Sequence, residues 1–168
     1  MNRNAYLKMT GFFKASRQRY NLLFMVSRVF PWIIAGIYGV LCILTALAWP
    51  GRLVRFMGVP LAVFLLVTAA RVVIHRKRPY ETFRFTPITF QKKPKKGKSF
   101  PSRHTASAAV IAAACMSFDM QLGQILLVMA VLVAISRVLC GVHYISDVAA
   151  GFAFGIIVGI IGFYPFIF

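Results

Sequence analysis

Four long stretches of this chain, from about Pro31 to Trp49, Leu53 to Ile74, Gln124 to Leu139 and Val142 to Phe163, are largely apolar. A helix needs about 20 such residues to cross the hydrocarbon of a bilayer. A shorter, alanine-rich stretch from about His104 to Phe118 makes a fifth. Buried in lipid, a backbone must satisfy its own hydrogen bonds, so these runs read as helices. Of the 168 residues, 60% are hydrophobic, and the mean hydropathy is +0.76. One domain of a handful of spans fits this length, without room for a separate soluble catalytic domain. The expected fold is an all-α integral membrane protein with about five transmembrane helices plus an N-terminal amphipathic interfacial helix.

That extra helix is read from residues 1–30. Arg3, Lys8, Lys14, Arg17, Arg19 and Arg28 occur there with no acid, and Leu22, Leu23, Met25, Val26, Val29 and Phe30 follow helical spacing. Such a segment is expected to lie on an anionic leaflet as a basic arm before a transmembrane domain of residues 31–168. The "ALA" at Ala46 to Ala48 mimics a signal cleavage site, but the charged region before it is longer than a signal's and more spans follow, so the first span reads as uncleaved. Pro50-Gly51 and Asp119 to Gly123 read as turns.

The chain has 20 Lys and Arg against 3 Asp and Glu, a formal net charge of +17. Charged partners are therefore anionic: lipid headgroups or phosphorylated small molecules. Nucleic acid is disfavoured, because the basic residues punctuate apolar spans and form no aromatic-interleaved surface. Cys42, Cys115 and Cys140 all stand inside apolar runs without metal-site spacing and read as packing residues.

Polar residues gather in three clusters that five spans bring to one face. In "RVVIHRKRP", Arg71 and Arg78 are two helical turns apart, so both guanidiniums are expected to point the same way at the end of the second span before Pro79 stops it. Span-end arginines are also ordinary interface anchors. In "PSRH", Ser102 is placed to cap the third span, whose first N–H groups form an anion site, and His104 stands in the first turn. In "SRVLCGVHYISD", His143 and Asp147 are i and i+4 at the start of the fifth helix, so the carboxylate can fix the imidazole tautomer. An acid inside an apolar span is costly and marks a functional site with a partner. Gly151, Gly155 and Gly159 continue the i+4 series as a small-residue stripe for close helix packing.

Together the clusters point to phosphoryl transfer. Arg71, Arg78, Arg137, a serine and a helix N-terminus neutralise a phosphate, one histidine attacks phosphorus and the other protonates the leaving oxygen. No metal or cofactor is expected, since carboxylates are almost absent around the histidines.

In order and spacing, the clusters resemble the tripartite signature of the type 2 phosphatidic acid phosphatase (PAP2) superfamily: Lys-x6-Arg-Pro, Pro-Ser-Gly-His and Ser-Arg-x5-His-x3-Asp. The resemblance spans Arg71 to Asp147 and implies a membrane lipid phosphatase. His143 would be the nucleophile, Asp147 its orienting partner and His104 the general acid. Arg71, Arg78, Ser102, Arg137 and the backbone N–H of Arg103 would cradle the phosphate. Arg71 replaces the family's lysine and Arg103 its glycine, which bears on substrate choice. The implied substrates are a polyprenyl diphosphate, phosphatidylglycerol phosphate or phosphatidate; the alternative is a non-catalytic binder of anionic lipid that keeps the cradle. Six spans are usual in the superfamily, and here the N-terminal helix takes the place of one. The family habit puts the site on the outer face of the cell membrane, whereas the basic arm and the "QKKPKKGK" loop favour the cytoplasmic face. Neither oligomeric state nor the lipid chain is readable.

Overall fold

The computed structural model describes residues 2–89 and 96–164; most of the lysine-rich run at Gln91 to Lys98 lies outside them. The elements are α1 (Arg3–Lys14), α2 (Arg17–Phe24), a π-helical turn (Met25–Val29), α3 (Phe30–Ala48), α4 (Pro50–Ile74), α5 (Pro79–Phe83), α6 (Arg103–Phe118), α7 (Met120–Leu139) and α8 (Ile145–Phe163). Among the described residues four stretches, Arg17–Ala48, Pro50–Phe83, Met120–Leu139 and Ile145–Phe163, are long and apolar enough to cross a membrane. With the 16-residue α6 passing among them, the molecule is an all-helical, multi-pass membrane protein.

α6 is the axis. Ala106, Ala108, Ala109, Val110, Ala112, Ala113, Ala114 and Cys115 are buried around its circumference, and α3, α4, α7 and α8 all pack on it. A helix apolar on every side belongs inside a bundle, and alanine lets neighbouring backbones come close. The outer helices instead turn large side chains outward: Leu47, Val54 and Val73 are 78%, 81% and 83% exposed, as suits a lipid-facing surface.

The small-residue stripe fits α8 onto α6. A Cβ at Gly151 would lie 2.6 Å from the Ser102 carbonyl oxygen, and one at Gly155 only 2.5 Å from that of Ala106. The contact at Gly151 sets the start of α8 directly against the start of α6, where two of the three polar clusters lie.

Both expected turns are tighter than the sequence reads. Pro50 is the first residue of α4, where its missing N–H costs nothing, so the reversal is made at Trp49 alone (φ −142°, ψ 65°). Likewise only Asp119 leaves the helix between α6 and α7, and its carboxylate accepts the Leu122 N–H at 2.7 Å. The basic N-terminal segment divides at Ala15 and Ser16. α1 docks over the loops around the third cluster, with Tyr6 stacked 5.4 Å from Phe85, Arg3 Nε donating to Phe83 O at 3.1 Å and Lys14 Nζ to Thr86 O at 3.1 Å. α2 runs through the π-helical turn straight into α3. The apolar residues from Leu22 to Phe30 therefore belong to the first membrane-crossing helix.

Overpacking at a closed helix contact costs about 1–3 kcal/mol. Gly155→Leu is accordingly expected to lower the unfolding temperature in detergent. Gly36→Ala, where nothing lies within 4 Å of the added methyl, is expected to leave it equal or slightly higher, because alanine favours helix over glycine. Equal melting of the two variants would contradict the packing of α8 on α6.

Candidate active site

The third cluster is built by the N-terminus of α8. Tyr144 holds the cap position in extended conformation, and the Asp147 carboxylate reaches back to accept its N–H at 3.0 Å. The same oxygen lies 3.3 Å from His143 Nδ1. The sequence places both residues on one helical face, but His143 stands two residues before α8 begins. They meet because a carboxylate in the first turn folds back over the helix start. Gly141 makes the preceding bend at φ +72°, where a Cβ would also press within 2.7 Å of the Phe85 ring.

Asp147 has two partners that the sequence reading does not single out. Arg76 Nη1 donates to its other oxygen at 2.8 Å while the guanidinium lies 4.3 Å over the Tyr144 ring. The Ser99 hydroxyl donates to the oxygen that His143 and Tyr144 share. The available signal was the cost of a buried acid, which demands a cation, but Arg76 was hidden inside "HRKR" with two other basic residues. The main chain adds one more link, since Ser102 N–H donates to Asp147 O at 2.9 Å.

His143 is 3% exposed. A carboxylate only accepts, so Nδ1 carries the hydrogen it shares with Asp147, and Nε2 keeps its lone pair. Burial pushes the imidazole down to about 4, with the Asp147 hydrogen bond pulling the other way and the charges of Arg78 and Arg71 adding to the fall. It is neutral at neutral pH. The Tyr6 hydroxyl donates to the His143 carbonyl at 3.4 Å, and burial raises that phenol to about 12.

The arginines of the first cluster converge, though not by sharing a helix. α4 ends at Ile74, with His75 in the left-handed region (φ 44°), and Arg78 is extended (φ −83°, ψ 159°) ahead of α5, as a residue before proline prefers. Arg71 Nη1 donates to Pro101 O at 3.0 Å. Arg78, 8% exposed, donates through Nε to Gly97 O at 3.0 Å and through Nη1 to Val142 O at 3.3 Å. Arg137 Nη2 donates to Ser27 O at 2.6 Å, while its Nε is buried without a partner. Arg103 lies 5.1 Å over the Phe64 ring. Arg71 faces the charges of Arg78 and Arg103, and Arg137 faces those of Arg28 and Arg78.

Every hydrogen-bond partner named for the guanidiniums of Arg71, Arg78 and Arg137 is a carbonyl. Among the described residues, the one arginine paired with a carboxylate is Arg76. The chain's other two acids serve the backbone: Asp119 caps α7, and Glu81 holds the N–H groups of Arg78 at 2.8 Å and Gly97 at 2.9 Å. Four arginines thus surround the site without a carboxylate paired to any of them, which is the electrostatic form of an anion pocket.

Ser102 occupies the cap position of α6, but its hydroxyl does not cap. It lies 3.0 Å from Thr105 Oγ1 instead, so it does not cover the first N–H groups of α6. His104, in that first turn, is an electrostatic neighbour of Arg137, His143, Arg103 and Arg71. It lines a cavity of about 380 Å³ between α3, α4, α6 and α7, whose walls include Trp32, Phe64 and Ile111.

A sequence profile of the PAP2 superfamily matches residues 52–166. The crystal structure of LpxE from Aquifex aeolicus is similar in fold, with a TM-score of 0.58 and 22% identity over 85% of this chain and 93% of that one. The first transmembrane PAP2-type phosphatidylglycerolphosphate phosphatase from Bacillus subtilis is 23% identical over 94% and 90% of the two chains, at a TM-score of 0.46.

The His143 environment predicts a titration. In protein carrying ¹³C-labelled histidine, the His143 ring is expected to stay neutral at pH 6 and to protonate near 4. Asp147→Asn removes the partner that favours the charged ring, so the midpoint is expected to move lower. A His143 midpoint at or above 6.5 would contradict this assignment.

Proposed function

The chain belongs to the PAP2 superfamily, and from that premise we propose that it is a membrane lipid phosphatase acting through a phosphohistidine. The observation that carries the reading is the set of arginines, unpaired with any carboxylate, around a neutral imidazole oriented by a buried acid.

In this reading, Arg71, Arg78, Arg137, Ser102 and the backbone N–H of Arg103 hold the phosphate. His143 Nε2 attacks phosphorus with its lone pair, forming an N–P bond as the P–O bond to the leaving group breaks. Asp147 stabilises the imidazolium that develops, through the Nδ1 hydrogen it already accepts. His104 gives its proton to the leaving oxygen, then takes one from a water that attacks the phosphohistidine, and inorganic phosphate departs. Charge stabilisation and positioning are what such a transfer chiefly asks of a protein, and guanidiniums provide both without a metal. A phosphorylated lipid suits the setting, because the site opens beside apolar helices at the end of the bundle. Polyprenyl diphosphate, phosphatidylglycerol phosphate and phosphatidate are the candidates.

The test is phosphate release from these three lipids by purified protein in detergent. His143→Ala is expected to lose roughly 10³-fold or more in turnover, as removal of a covalent nucleophile does, while still binding lipid. His104→Ala is expected to lose most on phosphatidylglycerol phosphate and phosphatidate, whose alkoxide leaving groups need a proton. Vanadate should inhibit and EDTA should not. Undiminished turnover in His143→Ala would overturn the mechanism. Lipid binding without turnover in the unmodified protein would leave the cradle as a lipid-binding site alone.

A further inference from the structure

The cavity beside His104 receives charge from a part of the chain outside all three clusters. Ser27 and Arg28, on the π-helical turn between α2 and α3, line it together with Arg103, His104 and Arg137. An extra residue in a helical turn swings side chains out of the regular register, and such turns recur at functional sites. Here the turn delivers the Ser27 carbonyl to Arg137 at 2.6 Å and sets Arg28 within electrostatic reach of the same guanidinium. Two buried polar atoms at this wall make no hydrogen bond: Arg137 Nε and Ser27 Oγ. The latter has the Cys140 thiol, a weak partner, beside it.

In-line attack requires the leaving group to depart on the side away from the nucleophile. If His104 protonates it, the cavity that His104 lines is where it goes. The alcohol formed once His104 has protonated an alkoxide carries no charge at the broken bond and needs no cation there. Instead this cavity is lined by Arg28 and by Arg103, whose side chains the phosphate cradle does not use, together with Arg137. Away from the arginines the walls turn apolar, at Trp32, Ile34, Phe64 and Ile111. A second cavity of about 420 Å³, reaching Tyr38 and Pro60, shares Phe64, Ser107 and Ile111 with the first. The two cavities thus adjoin at these residues, on the side of the first that faces the middle of α4.

We propose that Arg28 and Ser27, supplied by the π-helical turn, form a subsite for a second phosphate on the leaving side, so that the preferred substrate is a lipid diphosphate that departs as lipid monophosphate. This rests on the phosphatase reading above and adds the identity of the leaving group. In atoms, the bond from the terminal phosphorus to the bridging oxygen breaks, and that oxygen leaves on the lipid monophosphate. Arg28 and Arg103 offset its charge, of about −1.5 to −2 near neutral pH.

The test compares a prenyl diphosphate with the prenyl monophosphate of the same chain. Arg28→Gln is expected to lower the ratio of kcat/KM for diphosphate over monophosphate about tenfold, the scale of one charge-assisted contact, mainly through KM. Arg28→Lys should restore most of the ratio, and Ser27→Ala should lower it less. A purely structural role would depress both substrates alike, and an unchanged ratio overturns the proposal. Binding of a non-hydrolysable prenyl methylene-bisphosphonate separates this from the phosphatase reading. If the unmodified protein hydrolyses neither lipid, that reading fails. The subsite then stands only if Arg28→Gln still weakens bisphosphonate binding about tenfold, and it falls if binding is unaffected.

Discussion

The geometry at this end of the bundle depends on one buried carboxylate. Asp147 is fully enclosed, yet its two oxygens and its carbonyl bind Arg76 from beyond α4, Ser99 from the loop before α6, the start of α6 at Ser102, and His143 and Tyr144 from the bend before α8. Segments separated by up to 71 residues in sequence are thereby fixed to a single acid. A buried charge is tolerated only when paired and hydrogen-bonded, and the converse holds here: the segments cannot move apart without stranding it. Orientation of His143 and closure of the loops are thus one interaction, with no separate device needed to align the imidazole.

Arginine is affordable here for a related reason. Guanidiniums at a membrane surface can keep carbonyl partners and lose little, since they are weakly hydrated and always charged. Carbonyls position them without cancelling their charge, which a carboxylate would do. With 3 acids against 20 basic residues, and two of the three engaged on backbone N–H groups, the composition itself prevents the pocket from neutralising itself. Scarcity of acid therefore keeps the pocket cationic: one more carboxylate within reach of Arg71 or Arg137 would pair with them and cancel their charge.

Much of this was legible in the sequence, and what was not shares a physical character. Helix periodicity and hydropathy found α3, α4, α6, α7 and α8 to within a few residues, because bilayer-spanning segments are specified locally. The glycine series at 151, 155 and 159 announced a close contact for the same reason. The partners of Asp147 were not legible: Arg76 and Ser99 reach it through loop geometry set by left-handed residues at His75, Gly97 and Lys98, which no periodicity encodes. Ser102 suits a cap by residue type, but Thr105 competes for its hydroxyl. The division of the basic N-terminal segment at Ala15 and Ser16 was also hidden, because its helical spacing of apolar residues continues smoothly into the first span.

That continuity explains why the N-terminal segment bears on the site at all. A short amphipathic helix lying only on lipid would be free to drift. α2 is the N-terminal end of a helix long and apolar enough to cross the membrane as α3, and its π-helical turn is tied by Ser27 O to Arg137. α1 then folds back over the loops, where Tyr6 donates to the carbonyl of His143. The segment thus touches both sides of the pocket, the backbone behind one histidine and the cavity before the other. A span at this position would supply packing alone. A basic arm pinned at two points supplies packing and positive charge together, at an end of the bundle whose acids, Glu81 and Asp147, are already engaged.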